Sequence, residues 1–214
     1  WDATLTAFVQ GNWVAAVLCA QATCERTLAA LVYNLFIMGE PPKRWVRWGL
    51  VPHWAKDVGI GARMINARGE TVAEKPAFRG AFRYRRCIVP AIGFYEWRTE
   101  AGTKQPFAIV PTDAECFGFA GLWEHWTAPD GSVLETSSVL TTTPNSLMAT
   151  IHDRMPVILD AADYQSWMQG TATEATALIR PFPAQRMRAF AVGKAVGNVR
   201  NNSAQLIAPL ESTG

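Results

Sequence analysis

The stretch RRCIVPAIGFYEW, residues 85–97, contains a long apolar run in which β-branched and aromatic side chains are frequent. Such a composition favours a β-strand. Gly93 interrupts the run, and an isolated glycine inside a strand indicates a bend or a bulge. We therefore predict a strand over residues 86–97 that is bent at Gly93 and carries the acidic Glu96 among apolar neighbours.

Short strands and short helices extend outward from this stretch. Further β-like runs predict strands at residues 44–51, 106–111, 117–123 and 134–142. Turn signals lie between them at Ala101-Gly102 and Pro129-Asp130-Gly131. Helical patterns predict helices at residues 71–82, 145–150 and 160–168, and loosely helical spacing also precedes the two prolines of residues 39–42.

The order of these elements predicts the fold class. Strands and helices do not alternate regularly along the chain, so we predict an α+β fold. We expect a single compact domain over residues 1–214, with a barrel-like, irregular β-sheet core flanked by short helices.

The composition excludes several classes of protein. Of 214 residues, 49% are hydrophobic and 18% are charged, so the chain can bury enough apolar surface to offset the entropy of folding. No apolar run approaches the roughly 20 residues of a membrane span, and no positively charged segment precedes the apolar N-terminal residues as in a signal peptide. We expect no membrane partner and a cytoplasmic location, associated with the nucleoid if the protein is bacterial.

The cysteines and histidines are too dispersed for a zinc site or a disulfide scaffold. They are Cys19, Cys24, Cys87, Cys116, His53, His125 and His152. We therefore expect reduced thiols, no metal and no cofactor. Cys87 and Cys116 lie in β-like apolar runs and are expected to be buried, and His53 and His125 are expected to be structural.

The net charge of +2 is distributed unevenly. Between Lys43 and Arg86 the chain has eleven basic and three acidic residues, a local charge of +8, and the remainder carries −6. Trp45, Trp48 and Trp54 are interleaved with these cations, and proteins bind single-stranded nucleic acid by combining aromatic stacking with cationic side chains. A solvated basic face with the tryptophans in the core explains the pattern equally well, because strand alternation sends neighbouring side chains to opposite faces.

Six segments together carry a family resemblance. They are WGLVPHWAKD at 48–57, INARGETVAEKPAFR at 65–79, RRCIVPAIGFYEW at 85–97, FAGLWEHW at 119–126, IHDRMPVIL at 151–159 and AVGNVRNNSAQLI at 195–207. In composition and in order, these segments resemble the SRAP family, the SOS-response-associated peptidase domain, over about residues 47–210. Residues 1–40 match the family poorly.

The resemblance implies a sensor of abasic sites in single-stranded DNA. In that family an N-terminal Cys, exposed by removal of the initiator Met, attacks the ring-opened aldehyde of the abasic sugar. Its α-amine forms an imine and its thiol traps it as a thiazolidine, a stable DNA–protein crosslink that requires a 1,2-aminothiol. The implied partner is single-stranded DNA with abasic sites, and we expect a monomer.

The resemblance also implies catalytic roles for three residues. Asn66 holds the sugar or the terminal amine by hydrogen bonds, and Glu96 assists proton transfer during imine formation. His152 protonates the sugar ring oxygen as the ring opens, a role that suits a side chain with a pKa near neutrality. Each residue has a structural alternative: a helix cap for Asn66, an arginine partner for Glu96, and a turn shared with Asp153 for His152.

Other residues are implied to bind DNA. Arg68 contacts a phosphate, Trp54 stacks or wedges at the exposed base, and Thr141 touches the backbone. Lys194 and Arg200, on either side of the AVGNV turn, are further candidates for phosphate contacts.

The nucleophile is not visible in the sequence. The family begins Met-Cys-Gly-Arg, whereas this chain begins with Trp1, and only Tyr33-Asn34 remains of the family's Arg-Tyr-Asn-x-Ala-Pro element. Cys19 and Cys24 are internal, so their nitrogens are amides that cannot form an imine. Three explanations stay open: a missing N-terminal stretch, a coding or frame error over the first forty residues, or a degenerate homologue.

Three functions follow from these alternatives. The first is abasic-site crosslinking, with lyase-like chemistry, through an N-terminal Cys. The second is binding of single-stranded DNA without catalysis, which predicts salt-sensitive binding and no covalent product. The third is a thiol peptidase that acts on its own N-terminus.

Overall fold

The computed structural model describes residues 32–35 and 44–210. Within these ranges the strands are β1 Val32–Leu35, β2 Arg44–Trp48, β3 Asn66–Arg68, β4 Arg86–Ala91, β5 Phe94–Glu100, β6 Thr103–Pro111, β7 Phe117–Thr127, β8 Val133–Thr142, β9 Met155–Pro156, β10 Ile158–Leu159 and β11 Met187–Ala191. The α-helices are α1 Arg79–Tyr84, α2 Tyr164–Gln169 and α3 Ala172–Ala177. Short 3-10 turns lie at Val58–Arg63, Gly69–Thr71, Met148–Thr150, Ala161–Asp163, Ala184–Arg186, Lys194–Gly197 and Ala204–Ile207.

These elements confirm the α+β class and give two sheets. The larger has the order β1-β2-β8-β7-β10, with β3 and β9 also paired to β8 and with β4 paired to β7. The smaller has the order β11-β6-β5 and is antiparallel throughout. The core is therefore irregular, as expected, but the described strands do not close into a barrel.

The chain changes sheets at Gly93. Residues 86–97 were expected to form one bent strand, but β4 pairs with β7 in the larger sheet and β5 pairs with β6 in the smaller. A Cβ atom at Gly93 would lie only 2.6 Å from the carbonyl oxygen of Ile109. The missing side chain thus lets the two backbones approach closely at the bend, and the bend places the start of β5, with Glu96, in a different sheet from β4.

The predicted turns are confirmed, and their backbone conformations explain why glycine occurs in them. Ala101 and Gly102 join β5 to β6 with φ angles of 46° and 78°, which a two-residue hairpin turn of this kind requires. Gly131, with a φ of 85°, lies in the loop that joins β7 to β8. These hairpins set the register of the long central strands.

Apolar clusters cover both faces of the larger sheet. On β7, Phe119 packs with Phe94 in a cluster that joins the two sheets. Leu122, three positions further along β7, packs with Phe82 of α1 and Trp167 of α2. Alternation along the strand thus directs one face toward the smaller sheet and the other toward the helices.

The helices are shorter than the sequence pattern predicts. Residues 71–82 were expected to be helical, but a turn at Gly69–Thr71 is separated from α1 by irregular chain. Pro76 explains the interruption, because proline lacks an amide donor and disfavours helical geometry in the residue before it. Residues 160–168 likewise divide into a 3-10 turn and α2, and residues 145–150 contain only a 3-10 turn.

Other elements lie beyond the predictions or outside the described ranges. The strands β3 and β11 and the helix α3 were not predicted from the sequence. The expected helical stretch before residues 39–42 lies outside the described residues, except for β1, which is a strand. None of the helices within the described ranges has the length and apolar content that a membrane crossing requires.

Arg86 ties the ends of two helices to the larger sheet. Its side chain is buried, and it donates hydrogen bonds to the carbonyl oxygens of Phe82 in α1 at 2.7 Å and of Trp167 in α2 at 2.5 Å. A further bond reaches the carbonyl of Gly170, just after α2. One guanidinium thus satisfies carbonyl groups that helix ends leave without intrahelical partners.

Replacing Arg86 by Met should lower the free energy of unfolding by about 3 kcal/mol, because buried carbonyl groups lose charged donors. Urea unfolding at neutral pH measures the loss. Arg83→Met, at an exposed position of the same segment, should change the free energy by less than about 0.5 kcal/mol. Equal losses for both variants would contradict this account of Arg86.

Candidate active site at the junction of the two sheets

Glu96 is a buried carboxylate near the start of the smaller sheet. It lies on β5 opposite Phe107 of β6, and only 7% of the residue is exposed. Its Oε2 atom has no hydrogen-bond partner among the described residues. The arginine partner considered from the sequence is not present within the described ranges, so burial is not compensated by a strong ion pair.

Burial changes the acidity of Glu96. Desolvation disfavours the charged carboxylate and raises the pKa of Glu96 to about 7, although the positive charge of His152 lowers it in part. A carboxyl group with such a pKa exchanges its proton readily at neutral pH. The structure thereby makes Glu96 suitable for general acid–base chemistry.

His152 lies next to Glu96. Its Nε2 atom is 4.0 Å from Oε2 of Glu96, and about a third of its side chain is exposed. Its Nδ1 atom accepts a hydrogen bond of 3.0 Å from the backbone N–H of Arg154. Nδ1 also lies 3.3 Å from the carbonyl oxygen of Arg154, so it faces both a donor and an acceptor, while Nε2 is the ring nitrogen that faces Glu96. The carboxylate of Asp153 also lies 3.3 Å from Nδ1, so the His152 ring contacts an acidic side chain of its own turn as well as Glu96.

Arg154 fixes the turn that carries His152. Its guanidinium forms two bonds to the carboxylate of Glu70, at 2.6 and 2.8 Å, and another of 2.8 Å to the carbonyl of Thr141. The bonds from Arg154 lower the pKa of Glu70. The paired bonds to Glu70 link the His152 turn to the turn after β3, and the bond to Thr141 links it to the end of β8.

Asn66 and Arg68 line the same face of β3. This strand runs parallel to β8, with Asn66 opposite Val139 and Arg68 opposite Thr141. Both polar side chains are exposed and Ala67 between them is buried. Neither polar side chain forms a hydrogen bond with another described residue. The strand alternation, rather than a helix cap, therefore decides where Asn66 points.

The predicted site residues thus fall into four groups, with Asn66 beside Arg68 on β3. Glu96 and His152 meet directly, and Arg68 and Thr141 are neighbours in register that Arg154 connects to the His152 turn. Trp54 is half exposed and lines a separate cleft of about 550 Å³. Lys194 and Arg200 are exposed on the segment after β11.

Sequence reasoning missed Arg154 and Glu70. Both stand inside segments that resemble the family, but their partnership joins residues 84 positions apart, which spacing does not show. The signal available was the charged pair that follows His152 directly in the sequence.

Two of the four cysteines, Cys87 and Cys116, lie within the described residues. Cys19 and Cys24 lie outside the described residues. Cys87 is buried on β4, where desolvation raises the pKa of its thiol, and Cys116 is half-buried with a pKa raised for the same reason. Within the described ranges, no three His, Cys, Asp or Glu side chains come together as a metal site would need.

A family model, that of the SOS response associated peptidase (SRAP), matches residues 24–199. The chain belongs to the SRAP family. Among relatives, it is 46% identical over 166 residues to the abasic site processing protein YoqW of Bacillus subtilis, covering 76% of this chain and 74% of that one. It is 32% identical over 193 residues to the abasic site processing protein HMCES of Gallus gallus, covering 78% of this chain and 57% of that one.

Two solved structures share the fold. A crystal structure of a protein from Bacteroides thetaiotaomicron superposes with a TM-score of 0.79 at 29% identity, covering 84% of this chain and 81% of that one. A second, from Bordetella bronchiseptica, gives a TM-score of 0.68 at 28% identity, covering 75% and 82%. The arrangement of the two sheets is therefore that of known proteins.

The raised pKa of Glu96 should make the protein less stable as the pH rises. The folded state keeps a proton on Glu96 up to about pH 7, whereas the ordinary glutamate pKa is 4.5, so the folded state binds more protons between these values. The free energy of unfolding should therefore fall by about 2 kcal/mol between pH 5 and pH 8 relative to Glu96→Gln.

Urea unfolding across this range measures the difference. Glu100→Gln, on the exposed end of the same strand, should keep the pH dependence of the wild type. If Glu96→Gln and the wild type have parallel profiles, the carboxyl group is not protonated near neutrality and the interpretation is wrong.

Proposed function

We propose that this protein processes abasic sites in single-stranded DNA. The observation that carries the proposal is the contact between the buried Glu96 and the partly exposed His152, two acid–base groups 4.0 Å apart in a chain of the SRAP family. Relatives from a bacterium and from a vertebrate are named abasic site processing proteins, which supports the same substrate for this chain.

The chemistry proposed is condensation of a 1,2-aminothiol with the ring-opened sugar. The amine of an N-terminal Cys attacks the aldehyde carbon, water leaves to give an imine, and the thiol sulfur adds to the imine carbon. The amine nitrogen and the sulfur are then both bonded to that carbon in a thiazolidine, and one water has been released. The four cysteines of the sequence are internal and have no free α-amine, so the proposed reaction requires a chain that begins with Cys.

Glu96 and His152 suit the proton transfers of this reaction. Opening the sugar ring requires a proton on the ring oxygen, which the protonated imidazolium of His152 supplies and which leaves the ring neutral. Loss of water from the first adduct requires a second proton, which a carboxyl group with a pKa of about 7 holds and releases at neutral pH. Proximity of the two groups lets one restore the proton of the other.

The strand β3 supplies contacts for the DNA. Arg68 is an exposed cation for a phosphate, and the amide of Asn66 on the same face can hydrogen-bond the sugar or the terminal amine. The hydroxyl of Thr141, level with Arg68 in the sheet, can contact the DNA backbone. Several of the basic residues between Lys43 and Arg86 are exposed, among them Lys56, Arg63, Lys75 and Arg79, and such cations favour a polyanion as partner.

A protein that begins with Cys should form a crosslink with an oligonucleotide that contains one abasic site, seen as a band that survives denaturation. Glu96→Gln and His152→Ala should slow its formation by about 100-fold, because each removes a general acid or base. Glu100→Gln serves as the matched control and should react at the rate of the wild type.

The covalent product separates the three candidate functions. Salt-sensitive binding without a crosslink would support the non-catalytic single-stranded-DNA-binding alternative. Release of an N-terminal peptide, or cleavage of an unrelated peptide, would support a thiol peptidase. Absence of both a crosslink and binding would reject the proposal.

A further inference from the structure

The exposed Trp54 stands beside a cleft outside the Glu96–His152 site. The cleft has a volume of about 550 Å³ and is lined by residues 54–57 and by Gly59, Ile60 and Arg63. This volume falls within the usual range of small-molecule sites, about 300–1,000 Å³. An aromatic wall that is 50% exposed thus faces a space large enough for one nucleotide.

The charges at the cleft suit a phosphate. Lys56 and Arg63 are exposed and form no ion pair with a described residue. The acidic residue of the cleft, Asp57, accepts a hydrogen bond of 2.9 Å from the backbone N–H of Gly59 and caps the 3-10 turn that follows. Its charge is therefore partly satisfied by the backbone, and the two cations remain available.

Two hydrogen bonds attach residues 51–55, the segment that contains Trp54, to the central strands of the larger sheet. The indole N–H of Trp126, on β7, donates a bond of 2.7 Å to the carbonyl of Ala55, directly after Trp54. The backbone N–H of Val51 donates a bond of 2.9 Å to the hydroxyl of Thr136 on β8. Residues 51–55 are thus held by a hydrogen bond on each side of Trp54.

A buried ion pair, Arg85–Glu124, lies next to residues 51–55. Glu124, two residues before Trp126 on β7, is only 3% exposed, and its Oε2 atom accepts a bond of 2.6 Å from the guanidinium of Arg85. The same Oε2 atom is 3.6 Å from Nδ1 of His53, the residue before Trp54. Side chains of β7 thus contact the residue before Trp54 and the residue after it.

We propose that Trp126 and the Arg85–Glu124 pair are positioning residues that hold Trp54 and its cleft in a fixed shape for one nucleotide of a single strand. Stacking on an aromatic ring is stronger when the ring is already held in place, because binding then costs less conformational entropy. The inference rests on the proposed function, since it takes Trp54, which the family resemblance implies to stack on a base, as a contact for the same DNA strand. Neither Trp126 nor Glu124 is among the residues that line the cleft, so both act through His53 and Ala55, the neighbours of Trp54 in the chain.

A double-mutant cycle tests the coupling. The probe is an undamaged, fluorescein-labelled single-stranded oligonucleotide of thymidines, which has no aldehyde and reports non-covalent affinity by anisotropy. Trp54→Ala should raise the Kd about tenfold, and Trp126→Phe, which removes the indole donor, about fivefold. In the Trp54→Ala background, Trp126→Phe should change the Kd by less than about twofold, because the residue it positions is gone.

Trp167→Phe is the matched control. Its indole N–H also donates to a backbone carbonyl, that of Cys87, at 2.8 Å, but on the helix side of the core. This variant should lower the thermal midpoint without changing the Kd. Additive effects of Trp54→Ala and Trp126→Phe, or a wild-type Kd for Trp126→Phe, would overturn the positioning role.

A second pair of variants keeps the inference testable if Trp126→Phe does not fold. Lys56→Ala with Arg63→Ala should lower the magnitude of the slope of log K against log salt by about 1.4, because two phosphate contacts of a single strand are lost. Lys104→Ala with Arg188→Ala, at exposed cations of the smaller sheet, should leave the slope unchanged. An unchanged slope in the first pair would reject the cleft as a nucleotide site.

The outcomes also separate this inference from the proposed function. A wild-type protein that neither binds single strands nor crosslinks to an abasic site would reject the proposed function. A protein that does both, but whose cleft variants behave as the wild type, would reject only the role of the cleft and its positioning residues.

Discussion

The burial of Glu96 is the constraint on which the candidate site depends. The chain leaves the larger sheet at Gly93, where only a glycine fits against the carbonyl of Ile109, and begins β5 in the smaller sheet. Three residues later Glu96 is enclosed between apolar elements, without an arginine partner in the described part of the chain. Desolvation raises the pKa of Glu96, and His152 is the group that meets it.

The position of His152 follows from a different set of contacts. Arg154 binds Glu70 and Thr141 and donates its own backbone N–H to the imidazole. The orientation of the acid–base pair therefore depends on an ion pair between segments far apart in the sequence. Such an arrangement resembles other catalytic centres, in which partners of the acid–base residues fix their tautomer and direction.

The sequence predicted some features well because they depend on local rules. The turns at Ala101-Gly102 and Gly131 follow from backbone conformations that few residues adopt, and the α+β class follows from the order of the strands. Pro76 disfavours a continuous helix over residues 71–82. Thr171 and Glu174 form a capping box, a local sequence pattern that indicates the start of α3. Both signals are local.

Other features could not be predicted from single segments. The division of residues 86–97 between two sheets depends on which strand each half pairs with, and pairing joins distant parts of the chain. Glu96 and His152 were named together through the family resemblance, whereas their separation of 4.0 Å and the burial of Glu96 come from tertiary packing. The roles of Arg154 and Trp126 likewise depend on partners that are remote in sequence.

The protonation of Glu96 is the property that most directly tests this account. A ¹³C NMR titration of the glutamate side-chain carboxyl groups, with Glu96→Gln to assign the resonance, measures the pKa of this residue alone. A midpoint at about 7 is expected, because burial disfavours the charged carboxylate. A midpoint near the ordinary value of 4.5 would contradict it, because the carboxylate would then be fully charged at neutral pH and unable to donate a proton.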